Sequence, residues 1–118
     1  MISKILILLI ALLHVYILIL EMFLWQTPKG LKAFGNTPEK AQITKPLAQN
    51  MGLYNGFLAA GLLWTLFATA ELYQSLAYFF LGCVLVAGVY GSITASRKIL
   101  FIQAIPALVA IISVIIGF

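Results

Sequence analysis

The sequence predicts an all-α integral membrane protein, a bundle of four transmembrane helices with a short interfacial helix in the first cytoplasmic loop. Three observations predict it. Four apolar runs fill most of the 118 residues. The chain is 64% hydrophobic and only 8% charged, where soluble domains carry about 25% charged residues. Each run is near 20 residues long, and at about 1.5 Å of rise per residue that length crosses a hydrocarbon core of about 30 Å. The spans are 5–25, 51–70, 75–96 and 99–118, in one domain covering 1–118, with a loop at 26–50 and two short turns.

The first span follows a brief basic start that includes Lys4. It is long for the apolar core of a secretory signal, and no small-residue cleavage pair follows it, so it reads as a retained helix. It closes on Phe23, Leu24 and Trp25, which read as an interfacial anchor. In the loop, Thr27-Pro28-Lys29-Gly30 reads as a turn. Thr37-Pro38-Glu39-Lys40 is a helix start, with Thr37 as cap and Pro38 at the first helical position. A short helix at 38–44 near the headgroups is expected, ended by Lys45-Pro46 because the residue before proline avoids helical geometry. The second connection is expected at 70–74, and Ser96-Arg97-Lys98 barely separates the third span from the fourth. Pro106 inside the fourth span leaves the Ile102 carbonyl without its helical donor, which implies a kink just beyond Gln103.

Charge sets the orientation. Lys29, Lys32, Lys40 and Lys45 lie in the first loop and Arg97 and Lys98 in the third connection, while the other side holds only Lys4. The positive-inside rule puts those two connections in the cytoplasm and both termini outside, in a bacterial cell membrane. So clean a bias argues against dual insertion. The net charge of +4 expresses topology and contact with anionic lipid, and basic residues this few, with no base-reading fold, speak against nucleic acid. The lone Cys83 forms no intrachain disulfide and reads as a small apolar residue.

On this orientation the polar residues gather in the cytoplasmic half. Glu21 lies about one turn from the inner end of the first span. Asn50, Tyr54 and Asn55 open the second, Tyr90 closes the third, and Gln103 lies near the start of the fourth. His14 sits near the middle of the first span on the same helical face as Glu21, about 10 Å away along the axis. Arg97 is placed to reach Glu21 as a charge partner. Ionisable groups within a membrane face the bundle interior and find partners, so Glu21, His14, Asn50, Tyr54, Asn55, Tyr90 and Gln103 form the candidate ligand-binding or proton-coupled layer. Each has a plainer alternative: hydration for Glu21, a structural hydrogen bond for His14, a helix cap for Asn50, packing for the tyrosines. Gly52 and Gly56 of the second span and Gly88 and Gly91 of the third form small-residue ridges. They are expected to pack those spans together or to join copies in a homo-oligomer. One histidine without a nearby second ligand makes no metal site, no nucleophile has an adjacent base, and no phosphate loop or cofactor motif is present.

These residues carry a resemblance. The segment from His14 to Trp25, the block from Asn50 to Gly61, Gly88-Val-Tyr-Gly91, and Ser96 to Gln103 resemble the blocks of a small membrane-protein family catalogued as domain of unknown function 1304. The resemblance covers nearly the whole chain, implies four membrane helices, and implies no activity. Function is therefore expected from the polar residues: a cytoplasm-facing pocket that binds or transports a small lipophilic or amphipathic molecule, with lipid as the surrounding partner. The alternatives are an accessory or structural subunit without a ligand, and a membrane enzyme doing acid–base chemistry on a lipid or quinone.

Overall fold

The computed structural model describes residues 1–118 as helices joined by turns, without a strand. In chain order these are α1 (Ile2–Met22), α2 (Pro28–Phe34), α3 (Pro38–Phe67), α4 (Ala70–Thr94) and α5 (Ile105–Ile116). A π-helical turn, Leu100–Ala104, leads directly into α5. The all-α class is as the sequence predicts. Two helices, α1 and α4, are long and apolar enough to cross a membrane, and Leu100–Ile116 is a shorter apolar helix. α3 is longer than either, but lysines and amides crowd its first half.

Several boundaries differ from expectation, each for a local reason. Thr27-Pro28 starts a helix rather than a turn. The Thr27 hydroxyl accepts the Gly30 N–H at 3.3 Å, and α2 ends on Gly35 at φ 63, where glycine tolerates the left-handed geometry that closes it. Thr37 caps α3 as its sequence signals, accepting the Lys40 N–H at 3.2 Å. Pro46, however, does not end that helix: Pro38–Phe67 runs unbroken for 30 residues. The ring removes one donor, opposite Gln42, and that stretch is exposed, so water can satisfy the freed carbonyl. The connection placed at 70–74 falls instead at Ala68-Thr69, and α4 begins at Ala70, five residues before the expected Ser75. Before Pro106 the chain widens into a π turn, in which the Ile105 N–H reaches the Leu100 carbonyl. A proline cannot donate to the preceding turn, and one residue of extra winding is a known accommodation in helices.

Contacts divide the chain into two compact units, Met1–Leu12 with Leu58–Phe118, and Leu13–Phe57. In the first unit, four helical segments share one core. Ile7, Ile10 and Ala11 of α1 meet Leu62 of α3, Ala77, Leu81 and Val84 of α4, and Ala107, Ala110 and Val114 of α5. Small residues set the helix spacing. A side chain at Gly61 would enter the Phe80 ring, so α3 and α4 close there. A Cβ on Gly88 would lie 2.6 Å from the Ala104 nitrogen and one on Gly91 3.2 Å from Ile99, so these two glycines seat the π turn and the residue before it on α4. The α4 ridge expected to face the second span therefore packs on the last helical segment instead. Two of the polar groups in this unit find partners within it, whereas the buried Ser113 Oγ has none. The Thr65 hydroxyl donates to the Gly61 carbonyl at 2.8 Å, and Ser3 Oγ and the Tyr73 hydroxyl share a 2.7 Å bond. The outward faces stay apolar, with Ile5, Leu9, Phe79, Val86, Ile112 and Ile115 exposed.

The contrast between two α4 glycines gives a test. Gly88→Ala forces its methyl against the Ala104 backbone and should cost about 1–3 kcal/mol in reversible unfolding in mixed micelles. Gly82→Ala meets nothing within 4 Å and should be neutral or slightly stabilising.

Candidate functional site

Within Leu13–Phe57 the buried polar groups are few, and their placement follows from helical geometry. Glu21 lies on the last turn of α1, where it is only 3% exposed. On α3, residues 52, 55 and 56 are three and four apart, so they share a face. Gly52 turns that face into a close approach. A Cβ there would lie 2.5 Å from Met22 Cγ, 3.2 Å from Glu21 Cβ and 3.3 Å from the Leu18 carbonyl oxygen. Gly56 similarly leaves room for the Leu18 side chain, 2.7 Å from where its Cβ would stand. With the backbones this near, Asn55 Nδ2 donates to Glu21 Oε1 at 2.6 Å. The bond is charge-assisted when the carboxyl is ionised, and such bonds are among the strong ones. Gly52 and Gly56 thus join α3 to α1.

The remaining expected residues separate by exposure. His14 is buried, 1% exposed, two turns before Glu21 on α1. Asn50 lies inside α3 rather than at its start, is exposed, and donates its amide to the Pro46 carbonyl at 2.9 Å. Tyr54 is 62% exposed and meets the edge of Phe57, with ring centroids 5.9 Å apart. In the other unit, Tyr90 is 68% exposed on α4, Gln103 is half-buried in the π turn, and Arg97 is exposed in the preceding connection. The direct partner of Glu21 is therefore an amide, Asn55, one of the polar residues that the sequence places near it.

One group of residues was not singled out as a site. The chain after α1 folds back so that Lys29 Nζ lies 5.5 Å from the centre of the Tyr16 ring. A Cβ on the buried Gly30 would collide with the Leu24 carbonyl oxygen, which fixes α2 against the turn before it. Trp25 closes the arrangement, its ring 4.9 Å from Phe34 and its Nε1 donating to Thr44 Oγ1 at 3.2 Å. The signal was present as aromatic residues flanking a lysine-rich loop, but the fold-back is a tertiary fact.

An all-helical chain with two helices able to span a membrane and a buried carboxyl–amide pair defines the class. The chain belongs to the family described as Protein of unknown function (DUF1304), whose model matches residues 8–115. It is similar to the uncharacterized protein YpaA of Lactococcus lactis subsp. lactis (strain IL1403), with 32% identity over 108 residues, 90% of each chain. No solved structure matches it.

The geometry separates two substitutions of similar size. Asn55→Leu leaves the Glu21 carboxyl buried without its donor and should cost about 1–3 kcal/mol in micellar unfolding. Glu21→Gln keeps a carbonyl oxygen for Asn55 and should stay within about 0.5 kcal/mol of the parent.

Proposed function

We propose that this chain is an integral membrane protein of four spanning helices, with both termini outside. In this reading the Glu21–Asn55 pair anchors a cytoplasm-facing site for a small lipophilic or amphipathic molecule. The observation that carries the site is a buried carboxyl whose hydrogen-bond donor is an amide and not a cation. A Gln–Asn pair would fasten two helices as well and would put no ionisable group in hydrocarbon. Retaining a carboxyl there makes sense where its charge or its proton is used. His14, buried on the same helix, forms the floor of the site. The exposed Tyr54, Tyr90 and Asn50 make it narrower than a seven-residue layer.

The shared core supports reading four spans rather than two. Leu62 of α3 and Ala107, Ala110 and Val114 of α5 join the same core as α1 and α4, so helices crossing with one pair would carry the other with them. At 17 residues Leu100–Ile116 is about 25 Å long, which a locally thinned bilayer accommodates. The six basic residues of the two inner connections then stand opposite Lys4.

A second reading has its own observation. The Asn55–Glu21 bond, backed by Gly52, fastens α1 to α3, which is what an accessory subunit without a ligand would need.

The two readings part on Glu21→Gln. With the protein in lipid nanodiscs and tetraphenylphosphonium as a lipophilic-cation probe, the first expects saturable binding that Glu21→Gln abolishes without loss of thermal stability. Binding unchanged in the variant, or absent in the parent across lipophilic cations and amphipathic amines, would favour the second.

A further inference from the structure

The stretch from Phe23 to Leu47 has a surface that the Glu21 site does not use. It holds four lysines, Lys29, Lys32, Lys40 and Lys45, against one carboxylate, Glu39. All four lysines are exposed. Among them stand large apolar side chains that the fold leaves open: Phe23 at 70%, Ile43 at 78% and Leu47 at 66% exposure, with Phe34 at 39%. On α3, Lys40, Ile43 and Leu47 fall within about 60° of one another around the helix axis, so charge and aliphatic surface are presented together.

This surface is built rather than loose. Gly30 under the Leu24 carbonyl and the Thr27 cap hold α2 in place, and Trp25 ties it to α3 through Phe34 and Thr44. The Lys29 ammonium is held over the Tyr16 ring. Tyrosine and tryptophan beside lysine are the side chains that settle at the headgroup level, because each has an apolar body and a polar end.

Charge complementarity selects an anionic partner, and the interleaved aliphatic groups select among anionic partners. Nucleic acid and free phosphate offer nothing for Ile43, Leu47 and Phe23 to enter. An anionic leaflet offers phosphates above and acyl chains just below, which is where basic amphipathic helices bind. We propose that α2 and the first turns of α3 form a docking surface for anionic phospholipid. The four lysines take the headgroup phosphates, and Phe23, Phe34, Ile43 and Leu47 enter the acyl boundary. The inference rests on the chain being a membrane protein and is independent of any ligand at Glu21.

The test uses the full chain reconstituted in vesicles of phosphatidylcholine alone or with phosphatidylglycerol. Insertion is read by resistance to alkaline wash, and lipid preference by the lipid that co-purifies with the protein. The surface predicts enrichment of phosphatidylglycerol over phosphatidylcholine, weakened at high salt, and falling by about fivefold for each lysine changed to glutamine among Lys29, Lys32, Lys40 and Lys45. Lys4→Gln, outside the surface, should leave the enrichment unchanged. An inserted protein that retains both lipids equally, or a fourfold lysine-to-glutamine variant that retains phosphatidylglycerol as the parent does, overturns the proposal. Stronger lysine-dependent binding to single-stranded DNA than to the anionic vesicle also overturns it. Lysine-dependent binding to phosphatidylglycerol vesicles by a protein that the alkaline wash removes supports the docking surface and overturns the spanning reading instead.

Discussion

Between α1 and α3, the hydrogen bond from Asn55 to Glu21 constrains everything near it. A buried carboxyl loses hydration unless a donor meets it, and Asn55 meets it where the two backbones come close. Gly52 supplies that approach: its hydrogen stands where any Cβ would press on Met22 and Glu21. The pair and the glycine therefore form one device. The bond supplies the reason for α1 and α3 to hold one register, and the glycine makes the register sterically possible.

The same economy governs the unit formed by Met1–Leu12 and Leu58–Phe118. Close van der Waals contact between helices needs small residues where the backbones approach. Gly61 against Phe80 and Gly88 against Ala104 are such contacts. The π turn belongs to the same solution. Pro106 cannot donate to the turn before it, and the wider turn places Ala104 where Gly88 has no side chain. Polar groups in this unit are few: Thr65 bonds the Gly61 carbonyl and Ser3 bonds Tyr73, while the buried Ser113 hydroxyl has no partner.

The candidate site was partly legible from residue spacing. Gly52, Asn55 and Gly56 at steps of three and four mark one face of α3, and a carboxyl at the end of α1 needs a partner, so the Glu21–Asn55 meeting was within reach of helical periodicity. Tyr54 is adjacent to Asn55 and so points about 100° away, which is why it is exposed although it shares the same depth. Grouping residues by depth alone put Tyr54, Tyr90 and Asn50 into one layer with Glu21. Depth is a one-dimensional coordinate, and a site also needs the angle around each helix axis. Thr27-Pro28 is a separate case, a dipeptide that serves both turns and helix starts, and here the Thr27 cap on Gly30 begins a helix.

Composition and hydrophobic run length determined by themselves that this chain is helical, apolar and built around long membrane-compatible segments. Both are sums over many residues, and no single contact can reverse them. The lysine bias and the caps at Thr37 and Pro38 were equally local. Tertiary structure alone decided that α3 runs through Pro46 and that α2 folds back to bring Lys29 over Tyr16. Those outcomes depend on which backbones approach and which carbonyls water reaches. Such quantities arise between segments distant in sequence, where no local pattern records them.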